Sequence, residues 1–127
     1  MIHKLMMFRC ADNSGAKFLK TIQLYGKPSK GFTKLGNFVR VIAKRVSFDK
    51  KVKRKKHYLG LALTTKALIT RKDGSQYYGG SRKMIVFNET YKFQGTRVYG
   101  YALKESISSV KTISKAPKSL KYLNKQL

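Results

Sequence analysis

The chain has 127 residues, of which 29 are Lys or Arg and 5 are Asp or Glu, so its formal net charge at pH 7 is +24. This charge predicts a polyanionic partner, because a compact domain with so few carboxylates repels itself unless phosphates neutralise it. Hydrophobic residues make up 42% of the chain, which excludes a disordered basic tail and predicts a folded domain.

Residues 18–25 alternate between apolar and polar side chains, which predicts a half-buried strand. We expect Phe18, Ile22 and Leu24 to face the core and Thr21 to face outward. The alternation would make this strand one wall of a sheet that is solvated on its other side.

Residues 37–46 have the clearest two-residue period in the chain. Val39, Val41 and Ala43 are predicted to lie on one face, with Arg40 on the other. This pattern predicts a second strand with a basic outer surface.

Two more strands are predicted at 59–70 and 83–87, separated by a turn at 72–75. The Asp73-Gly74 pair in that turn favours a hairpin. Together with the apolar segment 4–11, these strands predict an all-β domain, a small closed antiparallel barrel, because closure leaves no strand edge exposed.

The period changes near the C-terminus, where Leu103, Ile107 and Val110 follow helical spacing. We predict one short helix there. Pro117 stands where a first-turn proline would begin a second short helix.

The length supports one domain, which we predict at 1–120, followed by a basic tail at 121–127. No apolar run approaches the roughly 20 residues that span a bilayer, so we expect no membrane association. Cys10 is the single cysteine, and its spacing from His3 and His57 fits no zinc module. We therefore expect neither a metal nor another cofactor.

The densest charge is at 50–56, where six of seven side chains are positive. A solvated loop is the alternative, but like charges packed this closely favour contact with phosphates. The RNA-binding candidates from this run are Lys50, Lys51, Lys53, Arg54, Lys55 and Lys56. Basic candidates elsewhere in the chain are Arg40, Lys44, Arg45, Lys72 and Arg82. This spread favours a protein embedded in folded RNA.

Aromatic residues among the bases could stack on unpaired bases or pack the barrel. They are Tyr25, Phe32, Tyr58, Tyr77, Tyr78, Tyr91, Tyr99 and Tyr101. Enzymatic alternatives are a Cys10–His57 nucleophile and base pair, and a metal nuclease using carboxylates such as Asp12 and Asp73. Neither has a recognisable spacing, so we predict no enzyme activity.

The hexapeptide Ala-Asp-Asn-Ser-Gly-Ala at 11–16 is followed in order by six further short motifs. These are 35–37 (LGN), 51–54 (KVKR), 65–66 (TK), 71–75 (RKDGS), 95–100 (GTRVYG) and 114–117 (SKAP). In this combination the chain resembles the universal large-subunit ribosomal protein fourteen family, of the bacterial or organellar type, over roughly residues 1–120.

The resemblance implies a five-stranded closed barrel with short C-terminal helices, serving as a structural constituent of the large ribosomal subunit. It also implies contacts with large-subunit rRNA, with small-subunit rRNA at an intersubunit bridge, and with the ribosomal protein numbered nineteen. The rRNA-facing residues that it implies are Asn13, Ser14, Lys17, Lys51, Lys53, Arg54, Lys66 and Arg71. Thr96 and Arg97 match the region that faces the small subunit and can receive a ribosome-silencing factor.

The chain departs from the family pattern at four places. Asn37 stands where Asp is usual, Thr64 where Arg is usual, and Tyr101 where Pro is usual. Segment 79–83 lacks the pattern expected after the Asp-Gly-Ser turn, so the resemblance says least about contacts there.

Lysine outnumbers arginine 22 to 7, and Tyr and Phe are frequent. With the family pattern beginning at Met1, this composition favours an AT-rich genome and an organelle-encoded protein of the mitochondrial ribosome, in the matrix. A plastid or the cytoplasm of an AT-rich bacterium would give the same features. The alternative function is a free single-stranded RNA-binding module acting as a chaperone or regulator.

Overall fold

The computed structural model describes residues 1–25, 31–48 and 50–111. Within these residues the chain forms nine strands and one helix. They are β1 (Ile2–His3), β2 (Met7–Cys10), β3 (Ala16–Leu24), β4 (Phe32–Thr33), β5 (Phe38–Val46), β6 (His57–Thr64), β7 (Leu68–Thr70), β8 (Gln76–Tyr78), β9 (Lys83–Phe87) and α1 (Lys104–Lys111).

Five strands close into a barrel in the order β2-β3-β5-β6-β9. The predicted closed five-stranded barrel is therefore confirmed. Its pairing is antiparallel at four ladders, but β2 and β9 run parallel, with Arg9 opposite Lys83 and Cys10 opposite Met84. Because the number of strands is odd, alternating directions around the barrel must end in one parallel pair. The predicted antiparallel barrel therefore contains one parallel ladder, between β2 and β9.

The predicted faces of β3 need correction. Thr21, expected to face outward, is fully buried, whereas Phe18 and Ile22 are half-buried. Register shifts on both sides of the strand centre interrupt the two-residue period, so the alternation cannot be followed through them. Burial of Thr21 is tolerated because its Oγ1 donates to the carbonyl of His3 at 2.7 Å and accepts the Met6 N–H at 2.9 Å.

Strand β5 agrees with its prediction, and Val39, Val41 and Ala43 are buried in the barrel interior. The predicted strand 59–70 is instead two strands, β6 and β7. β7 leaves the barrel and pairs with β8 in a separate hairpin. The Asp73-Gly74 turn closes that hairpin, with Gly74 at φ 85°.

Strand β6 is buried on both faces, because one side lines the barrel interior and the other is covered by the C-terminal region. Leu61 and Leu63 pack with Ile107 of α1 in this outer cluster. Ser106 Oγ donates to the Leu63 carbonyl at 3.2 Å, and the Leu103 N–H donates to the same oxygen at 3.2 Å. The helix is thus fixed against the barrel wall.

The predicted short helix is confirmed as α1, with Leu103 just before it and Ile107 on its buried face. The second helix expected from Pro117 and the tail at 121–127 lie outside the described residues. In the ranges that the structure covers, no helix has both the length and the apolar character needed to cross a membrane.

Candidate nucleic-acid interface

Basic side chains converge on an open cleft of about 850 Å³ beside the ends of β3 and β5, which we call the basic cleft. Its lining residues are Lys17, Lys44, Arg45, Val46, Ser47, Phe48, Lys50, Val52, Lys53 and Arg54. Among these described lining residues, six are cationic and none is acidic. The cleft therefore concentrates positive potential where an anion could enter.

The loop that follows β5 is held to the barrel from inside. Val52 is 1% exposed and packs in the core, although its neighbours are all charged. Its N–H approaches the Ser14 carbonyl at 3.4 Å, and the Lys53 N–H donates to the Tyr58 hydroxyl at 2.9 Å. One apolar residue in the basic run thus anchors the loop and leaves its cations exposed.

Gly15 permits the close approach between this loop and the turn that precedes β3. A Cβ at Gly15 would overlap the Cβ and Cγ of Lys50, and Gly15 has φ 101°. Its carbonyl accepts the Ser47 N–H at 2.8 Å. The glycine of the hexapeptide therefore fixes where the basic cleft forms.

Phe18 lies on the outer side of the barrel and organises two guanidinium groups. The Arg9 and Arg45 Cζ atoms lie 6.0 Å and 5.8 Å from its ring centroid. Cation–π contacts of this kind orient a guanidinium while leaving N–H groups free to bind phosphate. Arg45 is consequently positioned at the cleft by a ring that the periodicity had assigned to the core.

The hexapeptide connects parts of the barrel through buried hydrogen bonds. Asp12 is 7% exposed; its Oδ1 accepts the Ser14 N–H at 2.9 Å and the Ser14 hydroxyl, and its Oδ2 accepts the Val86 N–H at 2.8 Å. Ser14 is 2% exposed. The expected contact of Ser14 with phosphate is therefore corrected, because its hydroxyl is buried against a carboxylate.

Asn13 also has an internal role that the resemblance did not suggest. Its Oδ1 accepts the N–H groups of Thr96 and Arg97 at 2.7 Å and 3.0 Å, and its Nδ2 donates to Thr96 Oγ1 at 2.7 Å. The side chains of Thr96 and Arg97 are exposed. Asn13 thus holds the loop predicted to face the small subunit, and its amide is already engaged.

The other predicted residues surround the barrel and do not form a single site. Lys66 and Arg82 line one shallow depression, and Arg40 lines another near His57. Lys51, Lys55 and Lys56 are exposed on the loop outside the cleft lining. This arrangement agrees with contact from several sides.

Arg71 and Lys72 lie at the β7–β8 hairpin, and Arg71 already has protein partners. Its Nε donates to Glu105 Oε1 at 2.6 Å, and its guanidinium lies 3.8 Å from the Tyr77 ring centroid. Hydrogen bonding with Arg71 lowers the pKa of the Glu105 carboxyl. Arg71 therefore joins the hairpin to α1.

The enzymatic alternatives gain no support from the geometry. Burial, followed by the charge of Asp12, raises the pKa of the Cys10 thiol to about 12, so Cys10 stays protonated near neutral pH. Asp12 is occupied by backbone and hydroxyl donors, and Asp73 accepts from Ser75 in its turn. Across the described ranges, no three His, Cys, Asp or Glu side chains are grouped as metal ligands.

Three of the departures from the family pattern occur together. Thr64 Oγ1 donates to the Ser81 carbonyl at 2.7 Å, and the Tyr101 hydroxyl donates to the Gly79 carbonyl at 2.6 Å. Both acceptors belong to segment 79–83. The unusual segment is thus held by two side chains that are themselves unusual at their positions.

Sequence reasoning missed Phe48, which is 96% exposed at the basic cleft. Its signal was a phenylalanine in the polar stretch after the last apolar residue of β5, where it has no strand position to occupy.

A closed β-barrel with cations on several sides and a cleft whose described lining is rich in Lys and Arg belongs to the class of RNA-binding structural proteins. The family model described as ribosomal protein L14p/L23e matches residues 1–120, and the chain belongs to this family. It is similar to the large ribosomal subunit protein uL14 of Carsonella ruddii (strain PV), with 29% identity over 105 residues, covering 83% of this chain and 86% of that protein. The chain is accordingly a structural constituent of the large ribosomal subunit that binds rRNA.

Proposed function

We propose that the basic cleft is the principal rRNA contact of this chain in the large subunit. The observation that supports this most directly is the convergence of six cations in a cleft whose described lining has no carboxylate. The proposed phosphate contacts are Lys17, Lys44, Arg45, Lys50, Lys53 and Arg54. Neutralising phosphates there would release counterions, so binding should weaken steeply as salt is raised.

Further rRNA contacts are proposed around the barrel. They are Arg40, Lys51, Lys55, Lys56, Lys66, Lys72 and Arg82. Arg71 can add a contact only through N–H groups that Glu105 leaves free. Asn13 positions the loop that includes Thr96 and Arg97. Ser14 is not proposed as a contact, because its hydroxyl is buried against Asp12.

The exposed loop that includes Thr96 and Arg97 is proposed to contact small-subunit rRNA at an intersubunit bridge. Its support is a polar, exposed surface held rigid by three hydrogen bonds to Asn13. The same loop would receive a ribosome-silencing factor, and the ribosomal protein numbered nineteen would be a neighbour. We further propose that the chain has no enzymatic activity and acts in a mitochondrial ribosome. The relative from Carsonella ruddii is bacterial. A bacterial ribosome would require the same contacts between cations and rRNA phosphates.

The test compares two variants with equal loss of charge. In the cleft variant, Lys17, Lys44, Lys50 and Lys53 are all changed to Ala. In the control variant, Lys4, Lys34, Lys92 and Lys104, which are exposed outside the cleft, are changed to Ala. Each protein is expressed with a tag and followed by sedimentation of ribosomal particles.

The cleft variant should shift from large subunits to the free fraction as salt is raised, whereas the control variant should remain with the particles. Equal retention of both variants would contradict the assignment of the cleft. A wild-type protein found only in the free fraction would favour the independent RNA-binding module.

A further inference from the structure

Phe48 presents almost its whole ring to water. It is 96% exposed, compared with 59% for Leu68 and 63% for Tyr78, two other exposed apolar or aromatic side chains. Leaving a ring of this size in water forgoes the free energy of burying it. The position lies in the lining of the basic cleft, among lysines and arginines.

Two residues near Phe48 lie against the turn that contains Gly15. The Ser47 N–H donates to the Gly15 carbonyl at 2.8 Å. The Lys50 side chain packs so closely on Gly15 that a Cβ there would overlap it. Phe48 therefore directly follows a residue that is fixed to the barrel, which reduces the conformational entropy lost when something packs on its ring.

An unpaired nucleotide offers the two complementary features that this arrangement needs. A base presents a flat aromatic face to the ring, and its flanking phosphates present negative charge to the surrounding cations. A duplex would satisfy the cations but hide its base faces in the stack. The cleft is open, and its volume of about 850 Å³ leaves room for a nucleotide, since small-ligand sites typically have roughly 300–1,000 Å³.

We propose that the basic cleft binds an unpaired nucleotide of rRNA whose base stacks on Phe48 while its neighbouring phosphates contact the surrounding cations. This inference rests on the proposed function of the cleft and adds the kind of RNA that it takes. Phe48 supplies a sequence-tolerant platform, because every base has an aromatic face.

The chain contains no tryptophan, so Phe48→Trp introduces a single indole reporter at the platform. An oligoadenylate of about 12 nucleotides is used because that length is typical of single-strand sites. Titration with it should quench and shift the indole emission, because a base stacks on the ring. The same RNA annealed to its complement should bind without quenching. Leu68→Trp, exposed on β7 outside the cleft, is the control and should change little with either RNA.

Affinity separates stacking from simple apolar contact. Phe48→Ala and Phe48→Leu should each bind the single strand about tenfold more weakly, whereas Phe48→Trp should bind it as tightly as wild type. Leu68→Ala, which removes another exposed apolar side chain, should have no effect. Because Phe48 and Leu68 are both exposed, none of these changes should alter folding.

Wild-type affinity in Phe48→Leu would overturn the proposal, since leucine has no aromatic face. So would equal quenching of Phe48→Trp by duplex and single strand, or quenching by anionic lipid vesicles but not by RNA. Unchanged affinity in Phe48→Ala, combined with lost binding in the cleft variant, would refute stacking and leave the rRNA function intact. Undiminished RNA binding by the cleft variant would instead refute the function proposed for the cleft.

Discussion

Asp12 and Asn13 are adjacent in the chain but stabilise different parts of the protein. Asp12 links the end of β2 to β9 through the Val86 N–H, and Asn13 holds the loop that includes Thr96 and Arg97. Both side chains act by accepting hydrogen bonds from backbone N–H groups far along the chain. These two residues of the hexapeptide therefore stabilise the fold directly, and they affect RNA binding only by positioning other residues.

We expect Asp12→Asn to destabilise the free protein by about 2–3 kcal/mol, because the amide nitrogen cannot accept and leaves a buried donor unsatisfied. Denaturant unfolding measures this change. Asp73→Asn, in an exposed turn, is the control and should cost much less. Equal effects of the two substitutions would mean that the Asp12 network contributes little.

We expect Asn13→Ala to loosen the loop that includes Thr96 and Arg97 without unfolding the barrel. Hydrogen exchange should accelerate at the amides of Thr96 and Arg97, because both lose their acceptor. Asn13→Asp keeps an acceptor oxygen in the position of Asn13 Oδ1, so the amides of Thr96 and Arg97 should remain protected from exchange. If loop contact with the small subunit is real, Asn13→Ala and Arg97→Ala should impair subunit joining to a similar degree, and normal joining in both would contradict it.

Among the elements, prediction from sequence succeeded where one face of a strand is buried and the other faces solvent. β5 is such a strand, and its inward residues were predicted correctly. β3 was not, because its register shifts arise from pairing with β5 and leave no mark in the periodicity. The basic run in the loop after β5 was evident, but the exposure of Phe48 depends on loop geometry that charge patterning does not encode.

The pairing of Arg71 with Glu105 connects two elements that lie outside the barrel, the β7–β8 hairpin and α1. The pair lowers the pKa of the Glu105 carboxyl, so ionised Glu105 favours the folded state. Its stabilising effect is complete above the carboxyl pKa of the unfolded chain, about 4.3, and is lost as pH falls through the lower folded value.

We therefore expect Glu105→Gln to lower Tm modestly near neutral pH. The difference from wild type should disappear in acid, because protonated Glu105 resembles Gln. Thermal unfolding across the acid range tests this, with Glu89→Gln, an exposed carboxyl, as the control. A difference that persists at the lowest pH would show that Glu105 acts through packing and not through its charge.

At the scale of the whole molecule, a net charge of +24 opposes the compact free state. We expect the Tm of the free protein to rise as salt increases from about 0.01 M to about 0.15 M, because the screening length falls from about 30 Å to about 8 Å. The cleft variant, with four fewer positive charges, should show a smaller rise. A Tm that falls with salt would mean that attraction, not repulsion, dominates the free protein.

The parallel ladder between β2 and β9 has a consequence for biosynthesis. The Arg9 N–H bonds the Arg82 carbonyl, the Ala11 N–H bonds that of Met84, and Asp12 bonds a partner 74 residues later. A ribosome making this chain releases β2 long before β9, so one edge of the early strand stays unpaired through most of synthesis. Closing so long a segment is slow and entropically costly, and it happens only after β9 has emerged. A prematurely terminated chain that lacks β9 can therefore display the cationic loop, but it has neither a sealed wall nor the later loop that Asn13 secures.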